Sequence, residues 1–369
     1  MWACLLQKKS RAVGEQAALS EEVVQREQLR SEAISWDYLQ DIFKAEGLDT
    51  LGYLGWPLEG ELEEDRKGRE ATFLSDARRP APPSLAWMES HRELKYRPDR
   101  VLEGAKGVLV TGLGYYREDE IDSNPAGRRG FGRVARYARG RDYHKELGGR
   151  LRRIVRKLVG LLPGYSFRAF TDTGPLDEVW LAKASGLGFK GRNGLAILRE
   201  FGTWALLGHI VTTYSFEEGP RKALELTACP PGCRRCIDAC PNGALSVSAP
   251  LNVTRCIAYM TIEHRGPLEH GEALGDRIFG CDACQEVCPF NNGIEETEIE
   301  AFRRDIAGAS LSLTEIAEIS SYEQMVERFA GSVLMRVGPA NLARNAHAVA
   351  ANFEQDSLGG YYPEADSND

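Results

Sequence analysis

Eight of the nine cysteines fall between Cys229 and Cys288, in an order that suits iron–sulfur ligation. The first run reads Cys229-x3-Cys233-x2-Cys236-x3-Cys240-Pro241. The second reads Cys281-x2-Cys284-x3-Cys288-Pro289, and Cys256 lies between them. Closely spaced thiolates wrap one face of a cubane, and a following proline ends the wrap by withholding a donor and fixing φ. In two-cluster ferredoxins the fourth cysteine of each run ligates the other cluster. That crossing gives Cys229, Cys233, Cys236 and Cys288 to one [4Fe–4S] cluster and Cys240, Cys256, Cys281 and Cys284 to the other. C-x2-C pairs also suit tetrahedral zinc; the two C-x3-C-P endings are what argue for clusters. The Cys229-Pro230-Pro231-Gly232-Cys233 loop is one residue longer than the usual first loop, so Cys229 is the ligand furthest from the pattern. Cys4 stands apart and reads as an incidental thiol.

The chain has 369 residues, enough for two or three compact units with a core that needs no disulfide staples. No apolar run approaches the roughly 18–20 residues of a spanning helix. Met1–Leu6 runs straight into Lys8 and Lys9, too short an apolar stretch for a secretory leader, so a cytoplasmic enzyme away from the membrane is expected. The formal net charge is −8, yet Arg128–Lys157 holds twelve Lys/Arg against Asp142 and Glu146, a local +10. One basic segment on an acidic chain is the pattern of a face that meets a polyanion.

The elements that must position this chemistry read as α+β. Residues 1–33 look like a polar extension. Ser35–Gly47 has apolar residues at helical spacing, with Gly47 as the closing residue. Leu58–Pro83 reads as a surface loop or short helices, Val108–Leu113 as a buried strand, and Glu146–Leu158 as an amphipathic basic helix. Upstream of that helix, Arg128–Lys145 alternates aromatics with arginines and reads as a glycine-bearing loop. Phe167–Phe170, Leu195–Leu198 and Ala205–Thr213 read as strands, with a helix over Leu176–Ser185. The expected division is a catalytic α/β unit over 34–220, a ferredoxin-like two-cluster unit over 221–297, and a helical segment with a polar tail over 298–369. Within that last part, Phe302–Glu318 and Tyr322–Phe353 look helical.

Five stretches, in order, carry a family likeness: Ala135–Leu147 (ARYARGRDYHKEL), Asp172–Gly194 (DTGPLDEVWLAKASGLGFKGRNG), Cys256–Pro267 (CIAYMTIEHRGP), Gly275–Asn291 (GDRIFGCDACQEVCPFN) and the double-cluster spacing. Together they resemble the epoxyqueuosine reductases, over about residues 34–350. The resemblance implies reduction of the epoxide of epoxyqueuosine at the wobble position of tRNA, the last step of queuosine synthesis. It implies cobalamin and two [4Fe–4S] clusters as cofactors. Modified tRNA and an external electron donor are the implied partners of a monomeric enzyme. Asp172 matches the family's proton-donating aspartate, and an apolar corrin-walled pocket would raise its pKa; read alone, without the resemblance, Asp172 is first of all a helix N-cap. The implied cobalamin-lining residues are Lys95 (in the K-x-R-P segment Lys95–Pro98), Ala135, Arg136, Tyr137, Asp172, Ala196, Ile197, Leu198, Leu207, Thr261 and Asp282. Asp142-Tyr143-His144 approaches the D-x-H-x-x-G motif of base-off cobalamin enzymes, but Leu147 stands where the glycine belongs. His144 is therefore not argued as a cobalt ligand. His264-Arg265-Gly266 is either a surface turn or a contact to tRNA or corrin.

Phosphates are held by Lys/Arg, and a modified wobble base must leave its stack to reach a buried metal, so Phe131, Arg133, Arg136, Tyr137 and Arg139 are expected on a tRNA surface. A reductive dehalogenase would share cobalamin and the clusters but not the need for a basic segment. A plain electron-transfer ferredoxin would need neither corrin nor Asp172. A nucleic-acid-binding module would keep the clusters for structure alone.

Overall fold

The computed structural model describes residues 34–76, 82, 85–118, 129–217, 228–268 and 274–357. The N-terminal extension with Cys4, the start of the basic segment at Arg128 and the tail beyond 357 lie outside the described residues.

Ser35 caps helix α1 (Trp36–Lys44), accepting from the Tyr38 amide, and Leu39, Ile42 and Phe43 form its buried face. Gly47 follows at φ +66°, beyond the helix end as its spacing predicted. Strand β1 (Gly52–Gly55) comes next, then one 17-residue helix α2 (Gly60–Asp76) where a loop or short helices were expected. Its apolar periodicity is poor. It is held instead by pairs one turn apart, Arg66 with Glu63 and Glu70 and Arg69 with Asp65, each worth about 0.2–0.5 kcal/mol in a helix.

The central sheet contains β1, β2 (Gly107–Gly114), β4 (Phe167–Thr171) and β7 (Ala205–Thr212), in the order β1-β2-β7-β4. Every pairing in it is antiparallel, which makes the fold α+β. Its middle strand β2 is buried along Gly107–Leu113, as an uninterrupted apolar strand should be. Helix α3 (Tyr143–Leu161) covers one face through Leu147, Leu151, Ile154 and Leu158. Helix α4 (Glu178–Ala184) covers the other through Trp180 and Leu181. A short hairpin, β5 (Gly188–Lys190) with β6 (Ala196–Leu198), follows α4.

The expected loop Arg128–Lys145 is not one: β3 (Phe131–Val134) occupies its middle. It pairs in parallel with β8 (Arg277–Phe279) and antiparallel with β9 (Ser310–Ser312). One small sheet thus draws a strand from each of the three segments into which the sequence divides. The helical reading of 302–353 is corrected in the same way. After the one-turn helices α5 (Ala283–Glu286) and α6 (Glu300–Arg303), helices α7 (Leu313–Glu318), α8 (Tyr322–Phe329) and α9 (Pro339–Ser357) are separate, and β9 precedes these three. No helix among the described residues is long and apolar enough to cross a membrane.

Candidate active site

Asp172 sits immediately after β4, at φ +51°, a left-handed backbone that a non-glycine residue adopts only under constraint. The constraint is visible. Its amide donates to Glu178 Oε1 at 2.8 Å, and neighbouring Thr171 is tied by its hydroxyl to the Leu207 carbonyl at 2.9 Å. The capping reading of Asp172 fails, because α4 starts at Glu178 and its cap is Asp177, which accepts from the Trp180 amide.

The first turn of α3 supplies the partners of the Asp172 carboxylate. Asp142 caps that helix, so Tyr143 and His144 project from its very start. Tyr143 donates to Asp172 Oδ2 at 2.8 Å. His144 spans two carboxylates, Nε2 at 2.9 Å from Asp172 Oδ2 and Nδ1 at 2.8 Å from Asp142 Oδ1. Both imidazole nitrogens are thereby engaged, which keeps His144 from being a cobalt ligand. A neutral imidazole has one N–H, so satisfying both contacts requires one further proton shared along Asp142–His144–Asp172.

The electrostatics agree. Burial by itself would push His144 down, but its bonds to Asp142 and Asp172 win and its pKa is raised above 6.5. Burial would likewise raise Asp172, yet the hydrogen bonds from His144 and Tyr143 hold it below the usual carboxylate range. The expected raised pKa of Asp172 is therefore corrected: the stored proton rests on the imidazole.

Asp172 opens onto a cavity of about 410 Å³, within the range of cofactor sites. Its walls are mostly small or aliphatic, with Ala196, Ala205, Leu207 and Ala258 among them. Cys240, Cys256, Cys281 and Cys284 all reach the same wall, and none of the other four cysteines does. Cys236, by contrast, faces Cys229, Cys288 and Cys233 electrostatically. All eight thiols are unbridged. Backbone amides point at two of the sulfurs, Arg192 N–H at Cys229 (3.4 Å) and Ala244 N–H at Cys240 (3.2 Å). Unbridged thiols in two groups of four, with amides turned to sulfur, fit a pair of four-iron clusters. An apolar cavity between one of those groups and a carboxylate fits a flat organometallic cofactor.

Of the residues expected along cobalamin, Tyr137, Asp172, Ala196, Leu207 and Asp282 line the cavity. The others hold different posts. Arg136 is buried against Trp204 (5.1 Å) and pairs with Glu286 at 2.9 Å, while its amide donates to Asp282 at 2.7 Å. Arg139 is buried too, donating to the Val134 carbonyl, so neither arginine forms part of an exposed tRNA face. Thr261 accepts from the Gly280 amide inside a π-helical turn, Tyr259–Glu263. Ala135 is tied by its amide to Phe279, and Lys95 by its carbonyl to the Asp177 amide. Ile197 packs on Phe189 and Cys288, and Leu198 on Ala182. His264–Gly266 is a surface turn held by Arg344.

Two residues of this site escaped the sequence reading. His144 was set aside because its motif lacked a glycine, yet its two-residue spacing from Asp142 was the signal for a relay. Glu178 was hidden as an ordinary first-turn acid. It is largely buried, its side chain 16% exposed, beside His209, whose Nδ1 lies 3.4 Å away, and desolvation raises its pKa despite that neighbour.

Residues 95–173 match the profile "Epoxyqueuosine reductase QueG, DUF1730", and residues 229–291 match "4Fe-4S double cluster binding domain". The epoxyqueuosine reductase of Xanthomonas campestris pv. campestris is 35% identical over 270 residues, 71% of this chain and 73% of the relative. That of Synechocystis is 34% identical over 268 residues, 72% and 89% of the two chains. The chain belongs to the epoxyqueuosine reductase family. A crystal structure of an epoxyqueuosine reductase with an epoxyqueuosine-modified tRNA-Tyr stem loop superposes with a TM-score of 0.71 at 26% identity, covering 87% of this chain and 82% of that one. An epoxyqueuosine reductase is thus an oxidoreductase that carries a double [4Fe–4S] domain and an α+β frame, and here that frame holds the Asp142–His144–Asp172 relay.

Proposed function

We propose that this protein reduces the epoxide of epoxyqueuosine in tRNA to the alkene of queuosine, with Asp172 delivering the proton that the departing oxygen needs. The observation that carries this reading is the single cavity walled at once by Asp172 and by Cys240, Cys256, Cys281 and Cys284. Removing the oxygen as water takes two electrons and two protons. Cobalamin, when bound, supplies the strongly reducing centre that the clusters feed one electron at a time. Ala196, Leu207, Tyr137 and Asp282 would hold it.

The residues do the rest. Oδ2 of Asp172 is occupied by Tyr143 and His144, and among the described residues Oδ1 has no partner, which leaves it to face the substrate oxygen. As charge develops on that oxygen, the proton held on His144 moves to the Asp172 carboxylate, which delivers a proton to the oxygen, with Asp142 holding the imidazole in place. Asp282 sits deep on the wall, kept company by the Arg136 amide and guanidinium. On the outside, Arg152 and Arg156 stand exposed on α3, the helix whose first turn carries His144, and suit tRNA phosphates. Cytoplasmic location, a monomeric state and an external electron donor go with this reading.

The decisive test is conversion. Anaerobic protein loaded with cobalamin and given a strong reductant should remove one oxygen from epoxyqueuosine in an anticodon stem loop, read by nucleoside mass spectrometry. Failure both to bind cobalamin and to remove that oxygen would overturn the proposal.

Because the relay proton rests on His144, whose pKa is raised, it is present below that pKa and lost as pH rises through it. Turnover should decline on that alkaline side, and His144→Gln should abolish the decline along with much of the rate. A wild-type profile with no fall on the alkaline side would contradict the relay. Glu178 tests the loop. Glu178→Leu removes the acceptor for the Asp172 amide and should lower kcat by roughly 10²-fold, the scale of an ångström misplacement, with KM for the stem loop unchanged. Glu178→Gln keeps an acceptor oxygen and should restore most of the rate.

A further inference from the structure

The two cysteine groups differ in where they face. Cys240, Cys256, Cys281 and Cys284 line the cavity beside Asp172; Cys229, Cys233, Cys236 and Cys288 do not. The groups are neighbours, since Cys284 lies within electrostatic reach of Cys236. The outer group lies near the surface: Cys229 and Cys233 are part-exposed, and between them Pro230, Pro231 and Gly232 are exposed. Gly232, at φ +75°, has open space on its side-chain face, so this loop, with its additional residue, stands toward solvent as a knob between Cys229 and Cys233.

Cations ring that knob. Arg234 and Arg235 are exposed directly after Cys233. Lys190 and Arg192 come from the end of β5 and the turn behind it, where the Arg192 amide touches the Cys229 sulfur. Lys190 is exposed and Arg192 partly so. The acid among the described residues of this run, Asp238, pairs with Arg234 at 3.3 Å with both side chains more than half exposed, a contact that water weakens. A cationic rim around an exposed, partly apolar loop is out of keeping with a chain of net charge −8.

We propose that this rim is the docking surface for an acidic one-electron carrier protein, and that electrons enter at the Cys229–Cys233–Cys236–Cys288 group. The inference rests on the reductase reading above and names the partner of that same site. Each turnover needs two electrons, so two reduced carriers dock in succession, each leaving oxidised by one electron, while the epoxide oxygen departs as water with two protons. Complementary charge orients the carrier with its redox group against the proline knob and speeds encounter.

The probe is a flavodoxin, an acidic flavoprotein, titrated into the anaerobic holoenzyme and followed by flavin fluorescence. Lys190→Glu with Arg235→Glu should weaken its binding about tenfold or more, and rising salt should weaken binding to the wild type. Turnover driven by dithionite, which needs no docking, should stay within about twofold of wild type, as should stem-loop affinity. Lys190→Glu lies outside the cysteine run and carries the test by itself if the double variant loses iron. Unchanged flavodoxin affinity in the variants would overturn the proposal. So would loss of stem-loop binding with carrier binding intact, which would make the rim a nucleic-acid surface. A wild type that binds flavodoxin yet removes no oxygen with dithionite would instead count against the reductase reading.

Discussion

Asp172→Asn should lower turnover by roughly 10²- to 10⁴-fold, the range over which a positioned acid contributes, while cobalamin and stem-loop binding stay at wild-type levels. The amide keeps the size of the carboxyl, and its oxygen can still accept from Tyr143. It cannot take up the proton that His144 holds 2.9 Å away. The site would be assembled and charged, but the leaving oxygen would have to find its proton in water. Full turnover in the Asn variant would remove Asp172 as the donor and leave the rest of the site standing. Full binding with lost turnover would separate Asp172 from the residues that only hold the cofactor.

Cys256→Ser should abolish turnover and reduce the iron content from about eight to about four per chain, because it removes one ligand from the group that lines the cavity. The crossed wiring makes a sharper statement. Cys240→Ser and Cys284→Ser should leave the same surviving electron-paramagnetic signal, although they stand in different runs. Cys236→Ser and Cys288→Ser should leave the other signal. If Cys240→Ser instead matches Cys236→Ser, each run serves its own cluster and the crossing is wrong.

The sequence carried the parts of this site that repeat at fixed spacing. The cysteine runs, the buried strand at Val108–Leu113 and the apolar face of α3 follow from local rules of ligation and periodicity. Long-range partners left no such mark. Nothing near Arg136 says that its positive charge would be turned inward onto Glu286, 150 residues away. Arginine beside aromatics looks the same on a surface as in a core. Helix α2 was missed because side-chain pairs one turn apart hold it rather than an apolar stripe. The proton arrangement was missed because an environment sets it: Asp172 reads as an isolated acid until α3 brings His144 and Tyr143 to it.

Strand β3 waits on two others, one about 145 residues downstream and the other nearer 180. Asn345 of α9, fully buried, fastens the Thr261 and Ile278 carbonyls from the last long helix of the chain. During synthesis, then, the inner cysteines leave the ribosome well before the scaffold that fixes their separation exists. Closing such long loops comes late in folding. A chain cut short before Ser312 would therefore carry both cysteine runs without the closed sheet that joins their segment to the rest of the fold.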